Sequence, residues 1–317
     1  MAKKYILILL FTLFRGLGFG QNLPHFTQYV FNSVYLNPGA AGQANRLQIQ
    51  STVRSQYLGY TGTQYSGGSN LSTALSVDMP VAKLKGGIGL HFANQNISKA
   101  QGFSEALMSY SFHKQLGSNI IGIGAGVGIG SLSLHGDEYI PRDPDDPYIP
   151  SESMNSIAPR VNAGIYLVNP SYQIGLSARN LLEPEYKMGG TEGAFKDKRD
   201  YVLTARYDFP LSYTLDLSPM LMVRSDLVST QVEVGALVTY NQRLWLGGNY
   251  RLQDAGSFLI GTNLLENKLK LGYALDIITE GQGAKSTTSH ELFLRYVLGS
   301  LRMGKKSIVK TPRYSIP

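Results

Sequence analysis

From Asn45 to Leu298 the chain repeats one device: about ten residues alternating in polarity, then a turn. Residues 45–58 set Leu47, Ile49, Val53 and Tyr57 on one face. Arg46, Gln48, Gln50, Thr52, Arg54 and Gln56 fall on the other. Residues 267–277 set Leu269, Leu271, Tyr273, Leu275 and Ile277 against Lys268, Lys270 and Asp276. In 287–298, Leu292, Leu294, Tyr296 and Leu298 oppose Ser289, Glu291 and Arg295. A period of two separates the faces of a strand, whereas a helix would mix them. Further strands are expected at 68–79, 84–96, 102–114, 118–132, 157–168, 172–180, 200–208, 214–225, 229–240, 243–252 and 255–265.

So many amphipathic strands suit either a soluble sandwich or a transmembrane barrel, and the connections separate the two. Short turns at 79–84, 114–118, 169–172, 209–213, 241–243 and 266–268 alternate with links at 59–67, 97–101, 133–156, 181–199, 226–228, 253–254 and 278–286. Outer-membrane barrels sort their connections this way, with tight periplasmic turns and longer external loops. The fold class expected is therefore all-β: a transmembrane antiparallel β-barrel of about 14 strands (12–14), with an N-terminal periplasmic aromatic segment. A mean hydropathy of -0.09 fits this, because only alternate strand residues meet lipid. Transmembrane helices would need apolar runs of about 20 residues. In 121–130, Ile121, Ile123, Ala125, Val127 and Ile129 alternate with Gly122, Gly124, Gly126, Gly128 and Gly130. A phosphate-cradling loop would need a strand, a tight turn and a helix around such glycines. Inward glycines on a strand instead leave room for something packed inside.

Four regions are expected. Residues 1–20 read as a signal peptide: Lys3 and Lys4, an apolar core Tyr5–Phe14, and small residues before a cut at Gly20–Gln21. Residues 21–44 form a periplasmic or plug segment, with Phe26, Tyr29, Phe31 and Tyr35 packing at the periplasmic mouth. In it, Asn37-Pro38-Gly39 makes the turn into the first strand. Residues 45–298 form the barrel, and 299–317 a basic periplasmic tail with Arg302, Lys305, Lys306, Lys310 and Arg313. An even strand count leaves both termini periplasmic.

Little in the chain speaks for catalysis. The net charge is +7, yet no basic stripe interleaved with aromatics suggests nucleic acid. There is no Cys, hence no thiolate chemistry. His25, His91, His113, His135 and His290 lack metal-ligand spacing, and no Ser/His/Asp set can be assembled. The carboxylates of 142–147, within the acidic loop 137–152, could accept a hard cation such as Ca²⁺, but an EF-hand's Gly and distal Glu are missing. A Pro-stiffened solvated loop is the simpler reading. Lys268, Lys270, Arg46, Arg54, Arg295, Glu291 and Asp276 are expected to face the lumen as paired charges. No enzyme activity, cofactor or metal is expected.

One stretch is too aromatic for an idle leader and too irregular for a strand: residues 25–42. Its His25, Phe26, Gln28, Tyr29, Phe31, Asn32, Leu36, Asn37, Pro38 and Gly42 resemble the opening signature of the PorP/SprF family of the Bacteroidota type IX secretion system. That signature runs His-Phe/Tyr-x-Gln-Tyr, an aromatic-Asn step, then Leu-Asn-Pro-x-x-x-Gly. Asn32-Ser33 and Ala40-Ala41 depart from its usual Asn-Pro and Ala-Tyr, which bears on the subgroup. The resemblance implies an outer-membrane accessory of protein secretion and, in some members, of gliding motility. Implied partners are a secreted adhesin, through its C-terminal sorting domain, and periplasmic secretion-ring proteins, with those ten residues as motif and partner contact. External loops 133–156 and 181–199 would hold the cargo. The rival expectation is an outer-membrane channel or substrate-selective porin.

Overall fold

In the computed structural model, residues 24–57, 70–96, 98, 100–138, 152–187, 194–280 and 287–299 are described. The expected signal peptide, the basic residues of the expected tail, the possible cation loop at 142–147 and the tip of the 181–199 loop lie outside them.

Among the described residues seventeen strands form. The first seven are β1 (Gln48–Gln56), β2 (Asn70–Val81), β3 (Gly86–Asn96), β4 (Gln101–Leu116), β5 (Asn119–Leu134), β6 (Met154–Val168) and β7 (Tyr172–Arg179). A small hairpin follows, β8 (Glu185–Lys187) and β9 (Ala194–Lys196). The wall continues through β10 (Asp200–Tyr207), a two-residue β11 (Phe209–Pro210), β12 (Leu215–Ser225), β13 (Thr230–Tyr240) and β14 (Leu244–Arg251). It ends with β15 (Ala255–Leu264), β16 (Leu269–Ile278) and β17 (Thr288–Val297). Each long wall strand pairs antiparallel with the next along the chain, β7 with β10 past the small hairpin and β10 with β12 past β11, and β1 pairs β17 from Gln48↔Val297 to Ser55↔His290. The result is a closed barrel of 14 strands, as the alternation and its spacing predict. Closure removes the edges that an open sheet would expose.

The burial pattern is that of a soluble strand turned inside out. In β1, Gln48, Gln50, Thr52 and Arg54 are buried while Val53 is exposed. Leu90, Val127 and Leu292 likewise face outward. Alternate apolar residues thus meet lipid and their polar neighbours meet the lumen. Arg54, Lys270, Asp276, Glu291 and Arg295 lie on the inward register as expected. Arg46 and Lys268 do not: both are exposed at the rim, because the strands begin only at Gln48 and Leu269.

Links of 82–85, 117–118, 169–171, 208–214, 241–243 and 265–268 gather at one end, with both ends of the barrel chain. Asn241 and Gln242 both have positive φ, as a tight hairpin turn of primed type requires. The strands joined by the longer links, including 57–69, 135–153, 180–199 and 279–287, reach those links at the other end. There β4 and β5, with 16 residues each, outreach β7 and β14, with 8, so the wall stands tall on one side. The β8–β9 hairpin leans against it, with Tyr186 fully buried among Phe103, Leu132 and Ala158.

Candidate functional site: the occupied lumen

The segment before β1 threads the barrel. Most of 24–42 is buried, and it is built from two 3-10 turns, Tyr29–Phe31 and Pro38–Ala40, around a single helical turn, Ser33–Leu36. Such short pieces gain little from helix propensity, so the wall must hold them.

The upper anchor lies toward the long-loop end. Glu291 accepts from the backbone N–H groups of Thr27 (2.7 Å) and Gln28 (2.8 Å). The Thr27 hydroxyl donates to Asp276 at 2.9 Å and accepts from Arg54 at 2.6 Å. Asn249 donates to the Thr27 carbonyl at 3.0 Å. Arg54 also pairs Asp276 at 2.6 Å, and Arg251 pairs Glu233 at 3.0 Å. His25 meets Glu233 at 2.8 Å. Burial first, then the nearby Arg251 charge, hold the His25 imidazole down to about 4, so at neutral pH it is uncharged and donates to the carboxylate.

A second network lines the tall wall. Glu105 takes Arg179 at 2.7 Å and Arg160 at 3.1 Å, and Arg160 reaches Asp197 of the 181–199 loop at 2.7 Å. The Arg179 guanidinium lies 4.8 Å from the Tyr35 ring centre, and His91 meets that ring edge-on. Burying so many charges is tolerable only because nearly all are paired.

The lower anchor reads the backbone. Asn37 caps Gly39 N–H at 2.8 Å and donates to the Ile165 carbonyl at 2.9 Å. Ser177 donates to the Leu36 carbonyl, Ser111 to that of Gly39, and Asp78 accepts from Gly42 N–H. The inward glycines of β5 make this approach possible: a Cβ at Gly124 would lie 2.5 Å from the Pro38 carbonyl oxygen. Gly42 has φ of +73° and touches Met79 and Gly87, so both its conformation and its surroundings require glycine. Between the anchors, Phe31 packs on Trp245 and Phe293, and Phe26 meets Tyr35 edge-on. A gap of about 20 Å³ remains beside Tyr29, Ser33 and Tyr166, room for about one water.

All ten motif residues are accounted for by these contacts or by burial: Tyr29 and Leu36 are buried, and Asn32 accepts from Ser76 at 2.9 Å. Two expectations change. The aromatics do not stop at the mouth beside the short turns: the described chain starts high in the lumen and descends. Asn37-Pro38-Gly39 is not the turn into β1 but a wall-bound 3-10 turn, and the chain turns over 41–46. The wall residues Glu105, Arg160, Arg179 and Glu233 escaped the sequence reading. Their inward register is visible in the alternation, but their partners across the lumen are not.

A family model described as "Type IX secretion system membrane protein PorP/SprF" matches residues 18–296. No curated protein matches the chain. Among solved structures, the toluene transporter TbuX of Ralstonia pickettii aligns with TM-score 0.50 at 10% identity, covering 84% of this chain and 93% of that one. A FadL homologue of Pseudomonas aeruginosa aligns with TM-score 0.49 at 12% identity, covering 87% and 95%. At such identity the likeness to TbuX is one of barrel fold alone.

Proposed function

Because the chain belongs to the PorP/SprF family of type IX secretion membrane proteins, an outer-membrane component of that system, we propose that it works as a docking platform whose pore is closed. The long-loop end faces outward and holds secreted cargo, such as the sorting domain of an adhesin. The short-turn end and the basic tail face the periplasmic secretion machinery. The work is binding, with no bond made or broken.

The occupied lumen carries this reading. To conduct, the barrel would have to release 24–47 and leave Asp276, Glu291 and Glu233 without their contacts to Thr27, Gln28 and His25. Glu291 would lose both backbone donors and keep only Arg54 at 3.4 Å, and an under-satisfied buried carboxylate is costly, which favours the closed state. The test has two arms. Deleting the gene removes surface adhesin or secreted cargo, and the purified barrel is silent in a planar bilayer. Unchanged surface adhesins and secretion, with salt-proportional currents, would hand the case to a channel.

A further inference from the structure

Three cations meet at the short-turn end of the lumen with too little negative charge between them. Lys270 and Arg295 are direct cross-strand partners on β16 and β17, and both point inward. Like charges directly opposite on one face destabilise a sheet pair, and antiparallel walls ordinarily avoid them. Arg206 of β10 bears on both from the facing wall. Among the described residues, Arg206 alone of the three has a carboxylate at ion-pair distance, Asp208 at 2.7 Å, while Asp208 and Asp78 act on Lys270 and Arg295 only from farther off. Among the described residues Lys270 and Arg295 form no ion pair, and the Arg295 Nε is buried without a hydrogen-bond partner. Lys270 rests instead on aromatic faces of the plug and wall, 4.2 Å from the Phe31 ring centre and 5.6 Å from that of Trp245. Such contacts stabilise an ammonium without neutralising it.

The arrangement has a direction. Lys270 is the second residue of β16, Arg295 the third from the end of β17, and Arg206 the second from the end of β10. All three therefore sit just inside the short-turn rim, with the plug above them. The exposed rim beside them carries Arg46, Lys83, Lys85, Lys114, Arg243 and Lys268, which draw anions toward that mouth.

We propose that Lys270, Arg295 and Arg206 form an anion-binding site at the short-turn mouth, taking a carboxylate or phosphate group that enters from that side. A guanidinium fork and an ammonium together match the oxygens of either group. The group is supplied by a free anion or by the acidic side chains of a partner polypeptide.

The full barrel in detergent is titrated with inorganic phosphate, or with a hexa-aspartate peptide, at ionic strength held constant with KCl. The thermal midpoint should rise by about 2–4 °C for each kcal/mol of binding linkage. Lys270→Met and Arg295→Met should each abolish the rise, and Arg295→Met without anion should be no less stable than wild type. Lys268→Met, at the exposed rim, should keep the full response. Phosphate acting alone identifies a free-anion site; the peptide acting at far lower concentration identifies an acidic partner. Equilibrium dialysis of the wild type with labelled phosphate or labelled peptide adds a readout independent of any variant, with one ligand per barrel expected. No shift with either probe, an equal shift with KCl alone, or an undiminished response in both methionine variants overturns the site.

Discussion

Arg54 holds Asp276 at 2.6 Å, Glu291 at 3.4 Å and the Thr27 hydroxyl at 2.6 Å, all with little solvent access. Replacing it with Met leaves two neighbouring carboxylates facing each other, at a cost of about 3–5 kcal/mol. The urea midpoint of the detergent-solubilised barrel should fall accordingly, and adding Asp276→Asn should recover part of the loss. Gly124 makes the opposite kind of test, of space and not of charge. Gly124→Val drives a side chain into Pro38 and should loosen the lower anchor, giving current in a bilayer where the wild type is expected to give none. Gly256→Ala, with nothing within 4 Å of the added carbon, should stay silent. His25 adds a pH signature. Its folded value of about 4 lies below the usual 6.5, so its neutral form is the one folding favours. That stability is complete above pH 6.5 and is lost as pH falls from 6.5 through 4, on the order of 3 kcal/mol at most. His25→Gln should therefore show a shallower loss of midpoint than wild type across that window.

The threaded segment is the element on which the closed barrel depends, and its seating can be trapped chemically. A Cβ on Gly89 would lie 3.2 Å from that of Ala41, slightly inside the spacing of about 3.5–4.5 Å that a disulfide prefers. The chain has no Cys, so Ala41→Cys with Gly89→Cys can form only this bridge. Oxidation should give a fast-migrating band in denaturing gels that reductant abolishes, and absence of that band would unseat the segment from β3. How much of this was legible beforehand depends on the range of the forces involved. Strand positions followed from period two, a local property, so β13 was expected at 229–240 and forms over Thr230–Tyr240. The glycine row of β5 announced that something packs inside. A plug was one of two readings of residues 21–44, but the wall residues that hold it could not be read, because the bonds from Thr27 to Asp276 and from Asn37 to Ile165 join positions more than a hundred residues apart. Local propensity carries no information about such pairs. The β8–β9 hairpin was hidden for the same reason: its Tyr186 is buried only because the long β4–β6 wall gives it a surface to lie on.

At the scale of the whole molecule, the asymmetry of the two ends is what gives the barrel a direction in the membrane. Tight turns bury no surface of their own and leave little for a partner to hold, whereas the 180–199 link already folds back as a hairpin tied by Arg160–Asp197. The two ends also differ in charge balance. Toward the long-loop end, acids and bases alternate in paired networks, from Arg54–Asp276 to Arg160–Glu105. At the short-turn end, Lys270 and Arg295 form no ion pair among the described residues and stand behind a basic rim. The docking platform proposed above needs such a division, and the topology it requires can be measured. An epitope inserted between Gly117 and Ser118, in a two-residue turn, should be hidden from antibody on intact cells and revealed once the outer membrane is opened. The same epitope placed in the 279–287 link should label intact cells. Reversed labelling would turn the barrel over and put the anion site on the cell surface. Its acidic ligand would then be an external one, and the long loops would have to serve the periplasmic machinery instead.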